Sequence, residues 1–483
     1  MPNMYLILLA SLTCSTPSEG VHLFNTDGCA QVVRTLLFNA GPIAHMDSGD
    51  PEKALVGSEM SDVDKLIMEA GGAILIERGV IKKIGESGDL LSEYASDVIG
   101  TDESNDMTYG RGAKHIDSSS DTIVVDLSGL AVVPGFVDAH THLIWSGDRA
   151  RELKWRLEGK SYRQIAEQGG GIGYTVSETR KTPIEELEFI GRNRIKEATK
   201  NGTTAMEVKS GYGLSTNSEL ALLDCANNLA KLPFSPSIDL TWLGAHAAPP
   251  GEGDSEKRRK DYVEEIISEQ LPKVIEQGHA RYADVFCEPG WFTLEETERI
   301  CKTAKDENLA IRLHVDEFSD GGGAGLAAEL GAVTADHAHY SSDEDRAACA
   351  NSGTLQGFLL GTPYVLGEKH WPPISQCIDE KWPWMLATDF NPNCQTLSIP
   401  FVGSIASQHL GVDPLATLTA VTRNPALTVQ HRSGRRHGVL AEGSAASLNV
   451  LNSKHWESWC QTPGHTPCQA TMVDGMWLEG QLF

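Results

Sequence analysis

The chain has 483 residues, 40% of them hydrophobic, enough for one large domain and a smaller one with a proper buried core. Sixty-six acidic against 40 basic residues give a formal charge of −26, which leaves no basic footprint for nucleic acid or an anionic membrane and points to small-molecule chemistry. Ten cysteines are scattered without a Cys-x-x-Cys pair, so neither a disulfide framework nor a thiolate zinc site is indicated, and a reducing compartment fits.

Residues 1–31 read as an N-terminal extension. The opening MPNMYLILLASLTC has a short apolar run, but no Lys or Arg precedes Arg34, so the basic start of a secretory signal and the Arg-rich character of a transit peptide are both missing. A cytoplasmic protein is the expectation, and no stretch reaches the roughly 18 apolar residues that a bilayer span needs. From 32 to 131 short β-rich runs such as VVRTLLFNAGPIAHM, GAILIERGVIKKIGE and TIVVDLSGLAVV alternate with Gly, Asn and Asp turns, as in the first part of a small β-sandwich lobe. Within it the Ser- and Asp-rich stretch 102–121 reads as a surface insertion.

The pattern changes at residue 132. Eight short apolar runs follow, VVPGFVDAHTH, GTTAMEVKSGYG, IDLTWLGAHA, ARYADVFCEPG, LAIRLHVDEF, AVTADHAHY, TLQGFLLGT and WMLATDF. Between most of them lie helix-like stretches such as PIEELEFIGRNRIKEATKNG and SEKRRKDYVEEIISEQLPKVIEQG, with apolar residues recurring at three and four. Eight strands alternating with helices over 132–436 predict an α/β fold, a (β/α)8 TIM barrel. A doubly wound sheet is the rival, but no G-x-G-x-x-G follows an early strand and no G-K-[ST] occurs. The glycine runs 169–171 and 321–323 therefore read as flexible active-site loops or plain turns rather than phosphate cradles. Over 437–483 β character returns in GVLAEGSAASLNVLN and ATMVDGMWLEG, which predicts that both termini build one discontinuous β-sandwich domain.

In a (β/α)8 barrel the chemistry sits where strands end. The first run delivers His140 and His142, two apart and so on one face of a strand, about 6.5 Å along the backbone. Such a pair is common by itself. Here the third run adds His246, the fifth His314 and Glu317, the sixth His337 and His339, and the eighth Asp389. His140, His142, His314 and Asp389 together make a three-imidazole, one-carboxylate metal shell.

These residues, with PGFVDAHTHLIWSGDRARE, GKSYRQIAEQGGGI, TTAMEVKSGYGLSTNSEL, GAHAAPP, ADVFCEPGWF, LHVDEF, ADHAHY and ATDFNPN, make the chain resemble the amidohydrolase superfamily. Within it the likeness is to the branch that opens an imidazolone ring in histidine degradation, with GKSYRQIAEQGGGI and EVKSGYGL the most specific segments. The resemblance implies hydrolysis of the cyclic amide of imidazolone propionate to N-formimidoyl-L-glutamate, with one zinc or iron ion per subunit. Two-metal relatives carry a bridging lysine at the end of the fourth strand, where this chain has Cys287 and Glu288. Lys209 follows the second run, so a single ion on His140, His142, His314 and Asp389 is implied, with Glu288 the alternative ligand.

The roles implied are Asp389 as proton acceptor, His337 as donor to the oxyanion, and His246 and Glu317 as ring contacts, Glu317 exchanging protons. Arg149, Tyr162 and Tyr212 match the positions that hold the propionate; for Arg149 an ion pair with nearby Glu152 is the competing reading. Asn391 matches a further substrate contact, as do Asn393 and Cys394, which stand where many bacterial relatives have Gly and a hydroxyl residue. The chain also departs from the family pattern in GEKHWPPISQCIDEKWPW and at Ser447. The implied partner is a small-molecule substrate, with no nucleic acid and no membrane; a homodimer is compatible. Two other readings compete. One is an amidine or nucleobase deaminase with one metal and a His-x-x-Glu, which His314 to Glu317 satisfies; the other is a non-enzymatic scaffold on the same fold.

Overall fold

The computed structural model describes residues 34–96, 114–116, 122–160, 164–165, 168–232, 235–251 and 253–478. The N-terminal extension, most of the 102–121 insertion and Tyr162 lie outside the described residues. Among the described residues eight strands precede the barrel: β1 (Arg34–Phe38), β2 (Ile43–Ala44), β3 (Ile67–Met68), β4 (Gly72–Glu77), β5 (Val80–Glu86), β6 (Lys114–Ile116), β7 (Thr122–Asp126) and β8 (Val132–Pro134). Three more, β17 (Leu448–Leu451), β18 (Cys468–Val473) and β19 (Met476–Trp477), follow it.

Two sheets, in the orders β5-β4-β1-β7-β6 and β19-β18-β17-β8-β2-β3, form the small lobe. Leu37, Ile74 and Val125 of the first share one apolar cluster with Ile43, Val132, Leu448 and Met472 of the second. Each sheet alone would leave such a face wet, so the sandwich exists because both termini contribute. The predicted discontinuous β domain is borne out.

The barrel strands are β9 (Phe136–Asp138), β10 (Thr203–Lys209), β11 (Ser237–Ala245), β12 (Tyr282–Cys287), β13 (Ala310–Val315), β14 (Thr334–His337), β15 (Leu355–Phe358) and β16 (Trp384–Leu386). They are parallel and in sequential order, one from each predicted run. The ring closes between its ends where the backbone N–H of His142 donates to Phe390 O at 2.8 Å and that of Asp389 to His140 O at 3.1 Å. Lobe and barrel are joined through Gly135, between β8 and β9. A Cβ there would lie 2.1 Å from Thr204 Oγ1, so only glycine lets the strand pass from one sheet to the next this close to β10.

The helices follow the predicted period. Ile184–Lys200 buries Leu187, Gly191, Ile195 and Ala198 against the barrel, and Leu294–Asp306 opens on a capping box between Thr293 and Glu296. The long stretch from Ser255 is one departure. It runs as an α-helix to Glu265, one π turn over Ile266–Gln270, and α-helix again over Leu271–Gln277; Pro272, which has no N–H to donate, sits where the hydrogen-bond pattern changes. Among the described residues eight cysteines are free and buried, and no helix is long and apolar enough to cross a membrane.

Candidate metal centre

The carboxyl ends of β9, β13, β14 and β16 meet at the mouth of the barrel. Backbone there is bent out of the strand conformation by non-glycine residues in the left-handed region, Asp316 at φ 51°, His337 at 66°, Ala338 at 43° and Asp389 at 51°. Such residues cost of order 1–3 kcal/mol each and persist only where surrounding structure holds them. They stand at or just past the ends of β13, β14 and β16, where the chain leaves the strand.

At the barrel mouth His140 Nε2 lies 3.5 Å and His142 Nε2 3.6 Å from Asp389 Oδ1, and His314 Nε2 lies 3.3 Å from His142 Nε2. All four side chains are buried. The donor atoms of His140, His142 and His314 fall within 4.8 Å of one another, as do those of His140, His337 and Asp389. His140 Nε2 is buried with no hydrogen-bond partner, an orphan that would be costly unless something supplies positive charge to its lone pair. Burial, Lys209 and the neighbouring imidazoles hold His140 well below the usual imidazole range; burial, His246 and His314 do the same for His142. Both are therefore neutral, the form that binds a cation, and the donor set fits a metal ion.

Behind these side chains lies a layer of carboxylates that sequence reasoning missed. Asp336 Oδ2 is 2.8 Å from His140 Nδ1, and Asp284 Oδ2 is 2.9 Å from His314 Nδ1. The first is a hydrogen bond, which fixes the His140 ring so that its Nε2 faces the other donors. Burial pushes Asp336 up to about 7, against the pull of Lys209 and Arg312; burial also raises Asp284, but His314 and Lys209 outweigh it and hold that carboxyl below its ordinary value. Lys209 Nζ joins the layer, 2.9 Å from Glu207 Oε1 and 2.8 Å from Asp284 Oδ2, all fully buried. The available signal was an Asp inside an otherwise apolar strand, as in YADVFC. Thr362, after β15, was also missed: its hydroxyl donates to Asp389 Oδ2. Burial raises Asp389 to about 6 against that hydrogen bond.

The remaining expected residues are placed as follows. His246 stacks on His142 with ring centroids 4.9 Å apart, and its Nδ1 is 3.0 Å from Gly211 O, which directs Nε2 away from that carbonyl. Burial lowers it to about 3, so it is neutral. Tyr212 is buried beside His142 and His246, its ring centroid 5.7 and 5.2 Å from theirs. Glu317 Oε2 is 3.4 Å from His337 Nε2, and burial, helped by Asp389 and Glu288, raises Glu317 well above the carboxylate range. Glu317 and His337 line a cavity of about 240 Å³ together with Phe318, Thr362 and Pro363.

Other expected residues make polar contacts within the chain. Arg149 makes a two-pronged pair with Glu152, at 2.7 and 2.8 Å, the competing reading for that residue. Asn391 hydrogen-bonds its own loop, Nδ2 donating to Asp389 O at 2.8 Å and Oδ1 accepting from the N–H groups of Asn393 and Cys394 at 2.8 and 3.0 Å. Asn393 Oδ1 accepts from Arg156, and Cys394 is buried with its thiol toward Thr388 O. His339 is 3.0 Å from His370 O and stacks on Tyr340, while Glu288 bonds the backbone after β13. The glycine runs are turns tied down by carboxylates: Gly171 N–H donates to Glu152 Oε1 at 2.7 Å, and Gly321 and Gly323 N–H to Asp316 Oδ1, each at 3.0 Å.

A parallel eight-stranded barrel with three imidazoles and an aspartate at its strand ends is the architecture of a metal-dependent hydrolase. The amidohydrolase family pattern matches residues 131–478. Imidazolonepropionase of Symbiobacterium thermophilum is 36% identical over 427 residues, 88% of this chain and 92% of that protein. That of Shewanella sediminis is 42% identical over 348 residues, 72% of this chain and 81% of that protein. In fold alone, the crystal structure of A. niger ochratoxinase superposes with a TM-score of 0.60 at 16% identity, covering 93% of this chain and 96% of the other. The chain belongs to the amidohydrolase family, in its imidazolonepropionase branch.

Proposed function

We propose that the chain hydrolyses the cyclic amide C–N bond of 4-imidazolone-5-propanoate to give N-formimidoyl-L-glutamate, using one zinc or iron ion per subunit. What carries this reading is that the chain spans nearly all of an imidazolonepropionase, and that the segments of that likeness bring His140, His142, Tyr212, His246, His314, Glu317 and Asp389 to one barrel mouth. His140, His142, His314 and Asp389 would hold the ion. When bound, it polarises the ring carbonyl and lowers the pKa of a water toward about 7.

The chain's own residues supply the rest. Asp389 takes the proton of the attacking water. His246, neutral and stacked beside His142, contacts the imidazolone ring. Glu317, whose carboxyl burial raises well above its ordinary value, gives its proton to the departing ring nitrogen, since a nitrogen anion is too poor a leaving group. His337, beside Glu317, donates to the developing oxyanion. Tyr212 and Arg149 hold the propionate. A cytoplasmic setting fits the eight free, buried thiols.

The test is to incubate metal-loaded protein with freshly made imidazolone propionate and follow formimidoylglutamate and ammonia separately. Formimidoylglutamate without ammonia is the expected result. Ammonia released from a nucleobase panel, with no ring opening, would give the site to the deaminase reading that His314 and Glu317 also satisfy.

Arg149 gives a second expected result. Because Glu152 already takes part of its charge, the substrate carboxylate meets a paired cation, and the loss on Arg149→Ala falls at the low end for a buried charge pair, about 2 kcal/mol. A rise in KM of about 30-fold with kcat little changed is therefore expected. Unchanged KM and kcat would remove Arg149 from the site.

A further inference from the structure

On an uninterrupted strand, side chains three apart face opposite sides, so His314 and Glu317 can both face the barrel mouth only if β13 is broken between them. The break is at Asp316, with φ at 51°. Its carboxylate holds the far side of the resulting loop, Oδ1 accepting from Gly321 and Gly323 N–H at 3.0 Å each and Oδ2 from Ala324 N–H at 3.1 Å and Ser341 Oγ at 2.6 Å.

The near side is held from the neighbouring strand by a buried carboxylate just past the end of β12, Glu288. Its Oε2 accepts from Glu317 N–H at 2.9 Å, and its Oε1 accepts from Phe318 N–H at 3.2 Å and Ser319 Oγ at 3.0 Å. Three consecutive residues thus converge on one side chain, and both of its oxygens are in use. Three of the roughly four acceptor sites of the carboxylate are thus taken by the turn.

We infer that Glu288 is a positioning residue, one that clamps the turn 317–319 so that Glu317 faces His337, and that it takes no part in holding the ion. The inference rests on the role given above to Glu317, because a clamp on that turn matters to the reaction only if Glu317 touches the ring. It accounts for a carboxylate at this place in the barrel without a second metal.

Glu288→Gln keeps the size of the side chain but puts an NH2 where one oxygen accepts, so at least one of the three donors loses its partner. For the metal-loaded enzyme the expected result is a fall in kcat of about 10- to 100-fold, with KM within about 2-fold and metal content unchanged. In a Glu317→Gln background the same substitution is expected to cost less than about 3-fold further, because residues acting through one group are not additive. Unchanged kcat in Glu288→Gln, equal losses in both backgrounds, or loss of bound metal would each overturn the inference.

Glu317→Gln as active as the parent would instead overturn the role of Glu317, and the clamp's purpose with it. An inactive Glu317→Gln beside a fully active Glu288→Gln overturns the clamp alone. Should Glu288→Gln not accumulate as folded protein, Ser319→Ala removes a single donor. Its expected loss in kcat is about 2- to 10-fold in the parent background and none beyond Glu317→Gln, and an unchanged kcat in the parent would overturn the clamp.

Discussion

Asp389→Asn is expected to abolish turnover, with kcat down at least about 1,000-fold in protein reloaded with metal. The two oxygens of Asp389 are in different surroundings. Oδ1 lies 3.5 and 3.6 Å from the Nε2 atoms of His140 and His142, while Oδ2 accepts from Thr362. Asparagine can satisfy only one of these faces with an oxygen. If the amide oxygen faces the histidines, the NH2 group meets the Thr362 hydroxyl, which can rotate to accept from it. The packing then survives, but the negative charge and the proton acceptor are gone.

An amide cannot take a proton from water at neutral pH, so the loss falls on kcat even where an ion still binds. Metal affinity should fall as well, because a neutral oxygen replaces a carboxylate ligand. Measuring both separates the two effects. A variant that binds metal and keeps near-parental kcat would deny Asp389 the proton, whereas one that only loses metal would be restored by saturating ion.

The eight barrel strands were legible because each is a short apolar run bounded by turn residues, and burial on both faces leaves little room for anything else. The ends of those runs could be read too, since His140, His142, His314 and Asp389 each follow a run and a barrel places run ends together. What could not be read is pairing across the barrel. Nothing local ties Asp284 to His314 or Asp336 to His140, because those contacts depend on the register between neighbouring strands and on chain closure. Arg149 shows the converse. A three-residue separation from Glu152 offered the pair, and local geometry made it, while the resemblance pointed to the substrate. The loop after Asp389 was read by position alone; Asn391 is engaged with its own backbone and Cys394 is buried, which no periodicity could reveal.

Lys209→Met is expected to destabilise the fold by about 3–5 kcal/mol, more than any single hydrogen bond at the site. Lys209 points into the barrel below the imidazoles, with Nζ 2.9 Å from Glu207, 2.8 Å from Asp284 and 3.9 Å from Asp336, and all four side chains are fully buried. Methionine fills nearly the same space, so the packing loss is small. The charge loss is not, because three carboxylates then share the interior with Arg312, whose guanidinium already donates to Ala139 O and Thr428 O.

The sign of the pH dependence follows from Asp284. In the parent its carboxyl is held below the ordinary value, burial opposing and His314 and Lys209 prevailing, so it adds stability that is present above the unfolded pKa and lost as pH falls through the folded one. Without Lys209, burial has less opposition and the carboxyl shifts upward. A buried acid raised in this way costs stability increasingly as pH rises from the unfolded pKa toward the folded one. The deficit of the variant against the parent should therefore be smallest at low pH and widen toward neutrality. Unfolding midpoints of the metal-free proteins at about pH 5 and pH 8 would show it, the two chains lying closer at the lower pH. An equal midpoint at both pH values would mean that the ammonium is not what holds the Asp284 carboxyl below its ordinary value. In that case the orientation of His314 would rest on Asp284 and the strand register alone.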